Sequence, residues 1–322
     1  MRATRLLDRP IITPDLDPSI GSNIQGPSII RVPDWAGNAL ARYYLYFADH
    51  KGRFIRLAYA DEVTGPWRIH RPGALRLEDS HFLTRPPELD REEERQLLAR
   101  YARRGVRLPH DPLQEATTPH IASPEVIVDH ERRVIRMYFH GLEAAASQAT
   151  RVGESANGLH FVVSQPLVAP SYLRIFSWAG HTYALTMPGQ LHRATGGGVS
   201  RFEPGPRLFN PNMRHNAPLV RDGVLHVFWT QVGDAPERIL LSTIDLAGDW
   251  RSWRESEPVE ILRPERAWEG AAAPVQPSLR STAYGTVNQL RDPAILEDEG
   301  RTYLLYAVAG ESGIALAELR FG

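Results

Sequence analysis

The chain has 322 residues, of which 42% are hydrophobic and 23% charged, with a formal net charge of -1. That balance is ordinary for a globular protein and supplies no field to attract nucleic acid or an anionic membrane. The absence of cysteine excludes disulfides and thiolate metal sites, and no run reaches the roughly 18 apolar residues of a membrane helix.

Residues 1–10 lack the apolar core of a signal peptide, which points to a cytoplasmic protein. Ile11-Ile12-Thr13 then reads as an isolated short strand. Residues 23–72 form a first sector, with strands expected at 27–32, 43–48, 55–60 and 67–70. A long insertion, residues 73–119, follows. Asp90 and Glu93 make a capping pattern, Leu97, Leu98 and Tyr101 an apolar stripe and Gly105 a stop, so a helix is expected over about 90–104. An insertion of this size suggests an element on the rim of a cleft.

A second sector starts near His120, and its third strand, 149–154, runs into the turn Ser155-Ala156-Asn157-Gly158. The third spans about 169–208, the fourth 212–254 and the fifth 289–321. Thr195-Gly196-Gly197-Gly198 lacks the strand and lysine context of a phosphate loop and reads as a hairpin tip. Residues 264–281 form a second irregular connection.

Four sectors share one grammar. A proline opens an apolar strand, a charged turn follows, and an aromatic strand returns. The prolines are Pro27, Pro124, Pro218 and Pro293, and the returning strands include Tyr43-Tyr44-Leu45-Tyr46-Phe47 and Tyr303-Leu304-Leu305-Tyr306. A repeating unit of short strands predicts an all-β fold, a single five-bladed β-propeller over residues 1–322 with a helical insertion between blades 1 and 2. The last sector shows three strands, so the N-terminal Ile11-Ile12-Thr13 is expected to supply a fourth and close the ring.

In such a ring the inner strands open at one mouth. Aligning sectors on the proline places Gly26, Ser123, Ala217 and Asp292 just before it, and Ser28, Glu125, Leu219 and Ala294 just after. Strand alternation puts the two positions on one face, so Asp292 and Glu125 are the candidate carboxylates, with Glu269 in reserve. Asn23, Gln25, His120, His140, Arg214, His215, Arg291 and Trp268 are the candidate substrate-binding groups. A second ring, at the ends of the second strands, contributes Asp49, His50, Gln231 and Glu311, and the third sector offers Tyr172 and Arg174. Carboxylates, guanidiniums, amides and an aromatic face suit a polyhydroxylated ligand. The bland readings are a turn cap for Asp292, an arginine-paired carboxylate for Glu125, scaffold hydrogen bonds for the histidines and plain core for Trp268. No ligand spacing argues for a metal, and no cofactor is expected.

The strand openings Gly26-Pro27-Ser28-Ile29-Ile30 and Arg291-Asp292-Pro293-Ala294-Ile295, with Gly65-Pro66-Trp67 and the hairpin from Glu154 to Phe161, resemble the five-bladed β-propeller glycoside hydrolases around family 43, with their invertase-like and mannoside-phosphorylase relatives. The resemblance implies a general base or nucleophile aspartate before the first proline, where this chain has Gly26, and a general acid glutamate on a middle blade, for which Glu125 is the match. It implies a glycosidase acting on a carbohydrate or oligosaccharide at the propeller mouth, with Glu125 as acid and Asp292 as base or nucleophile. Arg214, Arg291, His120 and His215 would then orient hydroxyls or the carboxylate of an acidic sugar. Two rivals stand beside it. One is a non-catalytic carbohydrate-binding propeller, suggested by Gly26. The other is a uronide lyase using His120, His215 or Tyr172.

Overall fold

A computed structural model describes residues 1–103, 105, 107–196 and 199–321. Arg104, Gly197 and Gly198, on which the expected helix end and hairpin tip partly fall, lie outside the described residues.

The strands form five antiparallel sheets arranged as the blades of a propeller. Blade 1 holds Gln25–Arg31, Tyr43–Ala48, Phe54–Ala60 and Arg68–Arg76. The innermost strands of blades 2 to 5 are Ile121–Asp129, Arg174–Trp178, Met213–Arg221 and Arg291–Asp298. Blade 1 therefore extends to Arg76, and the insertion begins later than the expected residue 73. Outer strands at Phe202–Arg207 in blade 3 and Val259–Leu262 in blade 4 had not been anticipated.

The core is five separate wedges, one at each interface between neighbouring blades. Second strands are apolar on both faces because each face meets a different neighbour. In Tyr43–Ala48 every residue is buried, with Tyr44 and Tyr46 facing blade 2 and Leu45 and Phe47 in the wedge toward blade 5.

Blade 5 is completed by the N-terminus, as expected, but by a different segment. Arg2–Arg5 pairs antiparallel with Ile314–Arg320, in register Arg2 to Arg320. Ile11 and Ile12 instead bury in the wedge between blades 5 and 1, with one bridge from Ile12 to Ile314. Two adjacent isoleucines favour burial on all sides. Arg2-Ala3-Thr4-Arg5 alternates in the way a half-exposed outer strand requires. Arg5 then reaches Glu269 through two hydrogen bonds of 2.7 and 2.8 Å.

Among its described residues the insertion carries the α-helices α1 (Arg91–Arg103) and α2 (Pro112–Thr117). The Asp90 carboxylate accepts from the backbone N–H of Glu92 and Glu93, and Glu93 accepts from that of Asp90, the expected capping box. Helix α2 was not foreseen, although Asp111 followed by Pro112 is a readable start: Asp111 caps Leu113 N at 3.0 Å.

Candidate active site

Each inner strand opens with a residue in the left-handed region: Gly26 at φ 61°, Ser123 at 49°, Tyr172 at 59°, His215 at 39° and Asp292 at 47°. In blades 1, 2, 4 and 5 a register shift sits at the same place. The bulge turns these side chains into the mouth of the channel. Left-handed backbone costs a bulky residue about 1–3 kcal/mol, and such strain concentrates at functional sites. The structural equivalent of Asp292 in blade 4 is thus His215; the proline alignment had pointed to Ala217. Gly26 is required by close approach, since a Cβ there would lie 2.9 Å from Ser123 Cα.

The mouth holds an inner cavity of about 190 Å³. Its wall includes Gln25, His50, His140, Tyr172, Arg214 and His215, and Glu115 and Arg280 stand at its rim. Tyr172 donates its phenolic proton to Asp292 Oδ1 at 2.9 Å. His215 packs on Tyr172 with ring centroids 5.1 Å apart, and its Nε2 is 3.5 Å from Asp292 Oδ1. Asp292 is fully buried just behind these two side chains, and its Oδ2 has no partner among the described residues. Burial, reinforced by the nearby Glu311 carboxylate, pushes the Asp292 carboxyl up to about 6 despite Arg214 and Tyr172.

A second layer orients the first. Glu311 accepts from Asn23 Nδ2 at 2.8 Å and Arg291 Nη1 at 2.7 Å and faces His50 Nδ1 at 3.2 Å. Burial would raise Glu311, but His50 and Arg291 outweigh it and hold the carboxylate ionised. The histidines behave oppositely. Burial, helped by Arg214, keeps His215 neutral, and burial with His50 and Lys51 nearby pushes His140 down to about 3.

Of the residues expected at the site, Gln25, His140, Arg214 and His215 line the cavity. Asn23, His120, Arg291 and Asp292 are buried in the surrounding network. His120 donates its Nδ1–H to Thr118 O at 2.8 Å and stands edge-on to His140. Glu125 is not brought to the mouth. It lines a separate cavity of about 200 Å³ with Ser28, Arg174 and Ala294. There its carboxylate accepts from Arg174 Nη1 at 2.8 Å and from Ile175 N at 3.3 Å. Arg174 also reaches Tyr172 Oη, so its guanidinium stands between the two cavities. Alternation directs Ser123 and Glu125 inward alike, but residues two apart in a strand are roughly 6–7 Å apart in height. Glu269 is buried beneath the N-terminal strand, bound to Arg5 and Tyr306, and Trp268 packs in the wedge between blades 4 and 5. His50 and Glu311, named only as neighbouring polar groups, and Tyr172, named as a base in the lyase reading, lie at or beside this cavity, while Glu115 comes from the unforeseen helix α2 and Arg280 from the irregular connection after blade 4.

Among the described residues no cluster of three or more metal-ligating side chains occurs, and no helix is long and apolar enough to cross a membrane.

This five-bladed architecture is that of the family 43 glycoside hydrolases. A GH43 β-xylosidase/α-arabinofuranosidase from a compost microbial metagenome, in complex with xylotriose, superposes with a TM-score of 0.59 over 99% of this chain and 96% of its own, at 11% identity. Cellvibrio cellulosa α-L-arabinanase matches with a TM-score of 0.55 over 93% of both chains, also at 11% identity. An exo-β-1,3-galactanase from Phanerochaete chrysosporium matches with a TM-score of 0.56 over 92% of this chain and 60% of its own, at 13% identity. At such identities the likeness establishes the fold. No known sequence-family profile matches the chain. By sequence it belongs to one family with Uncharacterized protein R118 of Acanthamoeba polyphaga mimivirus, 33% identical over 323 residues, covering 92% of this chain and 83% of that protein.

Proposed function

We propose that the protein cleaves a glycosidic bond in a saccharide held at the propeller mouth. One observation carries the reading: Tyr172, which lines the cavity, is hydrogen-bonded to a buried carboxyl poised near neutrality. Glycosidases usually place two carboxylates across the bond, but tyrosine nucleophiles are a documented exception. Tyr172 Oη attacks the anomeric carbon as its proton passes to Asp292 Oδ1. The bond to the leaving oxygen breaks, and that oxygen takes a proton from His50, whose Nδ1 is held by Glu311. Water then gives a proton back to His50 as its oxygen bonds the anomeric carbon, the bond to Tyr172 Oη breaks, and Tyr172 recovers its proton from Asp292. The fold supports this reading, because solved structures of the same architecture were obtained with xylotriose, galactotriose and arabinohexaose.

A second reading is elimination from a uronide. It is favoured by the neutral state of His140 and His215 and by Glu115 being the one carboxylate on the cavity wall among the described residues. Screening aryl glycosides and oligosaccharides at several pH values separates the readings. Hydrolysis releases a reducing end without ultraviolet absorbance, and elimination leaves an absorbing unsaturated product. Saccharide binding with no turnover in any arm would make the protein a carbohydrate-binding propeller.

A further inference from the structure

Above the inner cavity lies a larger one, about 730 Å³, roofed by the helical insertion. The two share Glu115, Arg280 and Ser281, so they are stations of one path. Arg100 on α1, Arg207 at the end of blade 3 and Arg280 in the connection between blades 4 and 5 line the outer station. None of the three has a carboxylate within ion-pair distance among the described residues, whereas most arginines nearer the channel do. The acid that faces them is already neutralised. Glu115 binds Lys51 Nζ at 2.9 Å, His110 Nε2 at 2.6 Å and Ser281 Oγ at 2.5 Å, which also fastens α2 to the mouth. Arg280 is half-buried, and desolvation pushes its guanidinium downward with only Glu237 opposing. Three guanidiniums without counter-charge in a concave, partly dehydrated space form an anion-selective wall. Tyr101 and Asn212 add a ring face and an amide suited to sugar.

Resting on the cleavage reading above, we infer that the substrate is an anionic oligosaccharide, with the sugar to be released in the inner cavity and the acidic groups of the following units against Arg100, Arg207 and Arg280. The arginines singled out in the sequence, Arg214 and Arg291, do not fill this role because Glu237 and Glu311 already occupy them.

The experiment is calorimetric binding to the full chain and to its Tyr172→Phe variant, which keeps the cavity while removing the attacking oxygen. The probes are trigalacturonate, a sulfated trisaccharide, neutral xylotriose and inorganic phosphate. A carboxylated or sulfated trisaccharide should bind at least about tenfold tighter than xylotriose, and the better of the two identifies the acidic group. Added salt should weaken that binding. Arg100→Gln and Arg207→Gln should each cost roughly tenfold for the anionic probe alone, as expected for one charge-assisted contact, and Arg207→Lys should recover part of it. Equal affinity for neutral and anionic trisaccharides, no loss in the arginine variants, or phosphate binding as tightly as the trisaccharides would overturn the inference. Tight anionic binding with no turnover by the unmodified protein would uphold the inference and sink the cleavage reading.

Discussion

Tyr172 and Asp292 lie 120 positions apart in the chain and meet through a single hydrogen bond of 2.9 Å. Each opens the inner strand of its blade in left-handed backbone, Asp292 within a bulge, and both face the same mouth. The contact joins a phenol that lines the cavity to a carboxyl that water does not reach. Burial raises Tyr172 well above its ordinary value, so the phenol gives up its proton only if Asp292 accepts it.

That requirement sets a pH dependence. Asp292 accepts a proton only when ionised, so kcat/KM should climb as pH rises through about 6. Asp292→Asn should remove this limb along with most of the activity. A rate profile flat between pH 5 and 7 in the unmodified protein would refute the role.

Tyr172→Phe keeps the ring packing on His215 and deletes the oxygen. Cleavage should fall at least about 100-fold with the thermal midpoint little changed. Turnover within a few-fold of the parent would exclude Tyr172 as the attacking group.

Asp292 also affects stability. A raised carboxyl favours folding fully below the unfolded value, near 4, and that contribution disappears as pH rises through about 6. Holding the group ionised in the fold costs about 3 kcal/mol above pH 6. Asp292→Asn should therefore gain stability relative to the parent at pH 8 and not at pH 4, as read from urea midpoints.

Gly26 has its Cβ space filled by Ser123, and its φ is 61°. Gly26→Ala should destabilise the fold by about 1–3 kcal/mol and disturb Ser123 at the cavity wall. Denaturant midpoints check it, and a variant as stable as the parent would show that the two blades can part there at no cost.

Arg5→Ala leaves Glu269 buried with Tyr306 and without its cation. The expected cost is about 3–5 kcal/mol, with faster hydrogen exchange at Ile314–Arg320 as the closing strand loosens. Unaltered exchange in that strand would mean that backbone pairing alone closes the ring.

The fold was legible because a local pattern repeats. Proline openings, aromatic runs such as Tyr43–Phe47 and turns such as Ser155 to Gly158 each describe neighbours a few residues apart, and their recurrence along the chain leaves a ring as its natural packing. The capping of α1 was readable for the same reason. Asp292, His140 and His215 were recognisable as inward-facing polar groups. Their heights along the channel were not, and Glu125 shows the consequence: correct strand, correct direction, wrong side of Arg174.

Side-chain periodicity therefore decides direction, because it follows from the geometry of a single strand. Level and partnership follow from how strands on different blades are offset, which depends on bulges at Gly26, Ser123, His215 and Asp292 and on a left-handed Tyr172 that no proline marks. The cavity, its phenol–carboxyl pair and the arginine-lined space beneath the insertion exist only once five distant segments close on a common axis, since no segment carries the others' positions in its own sequence.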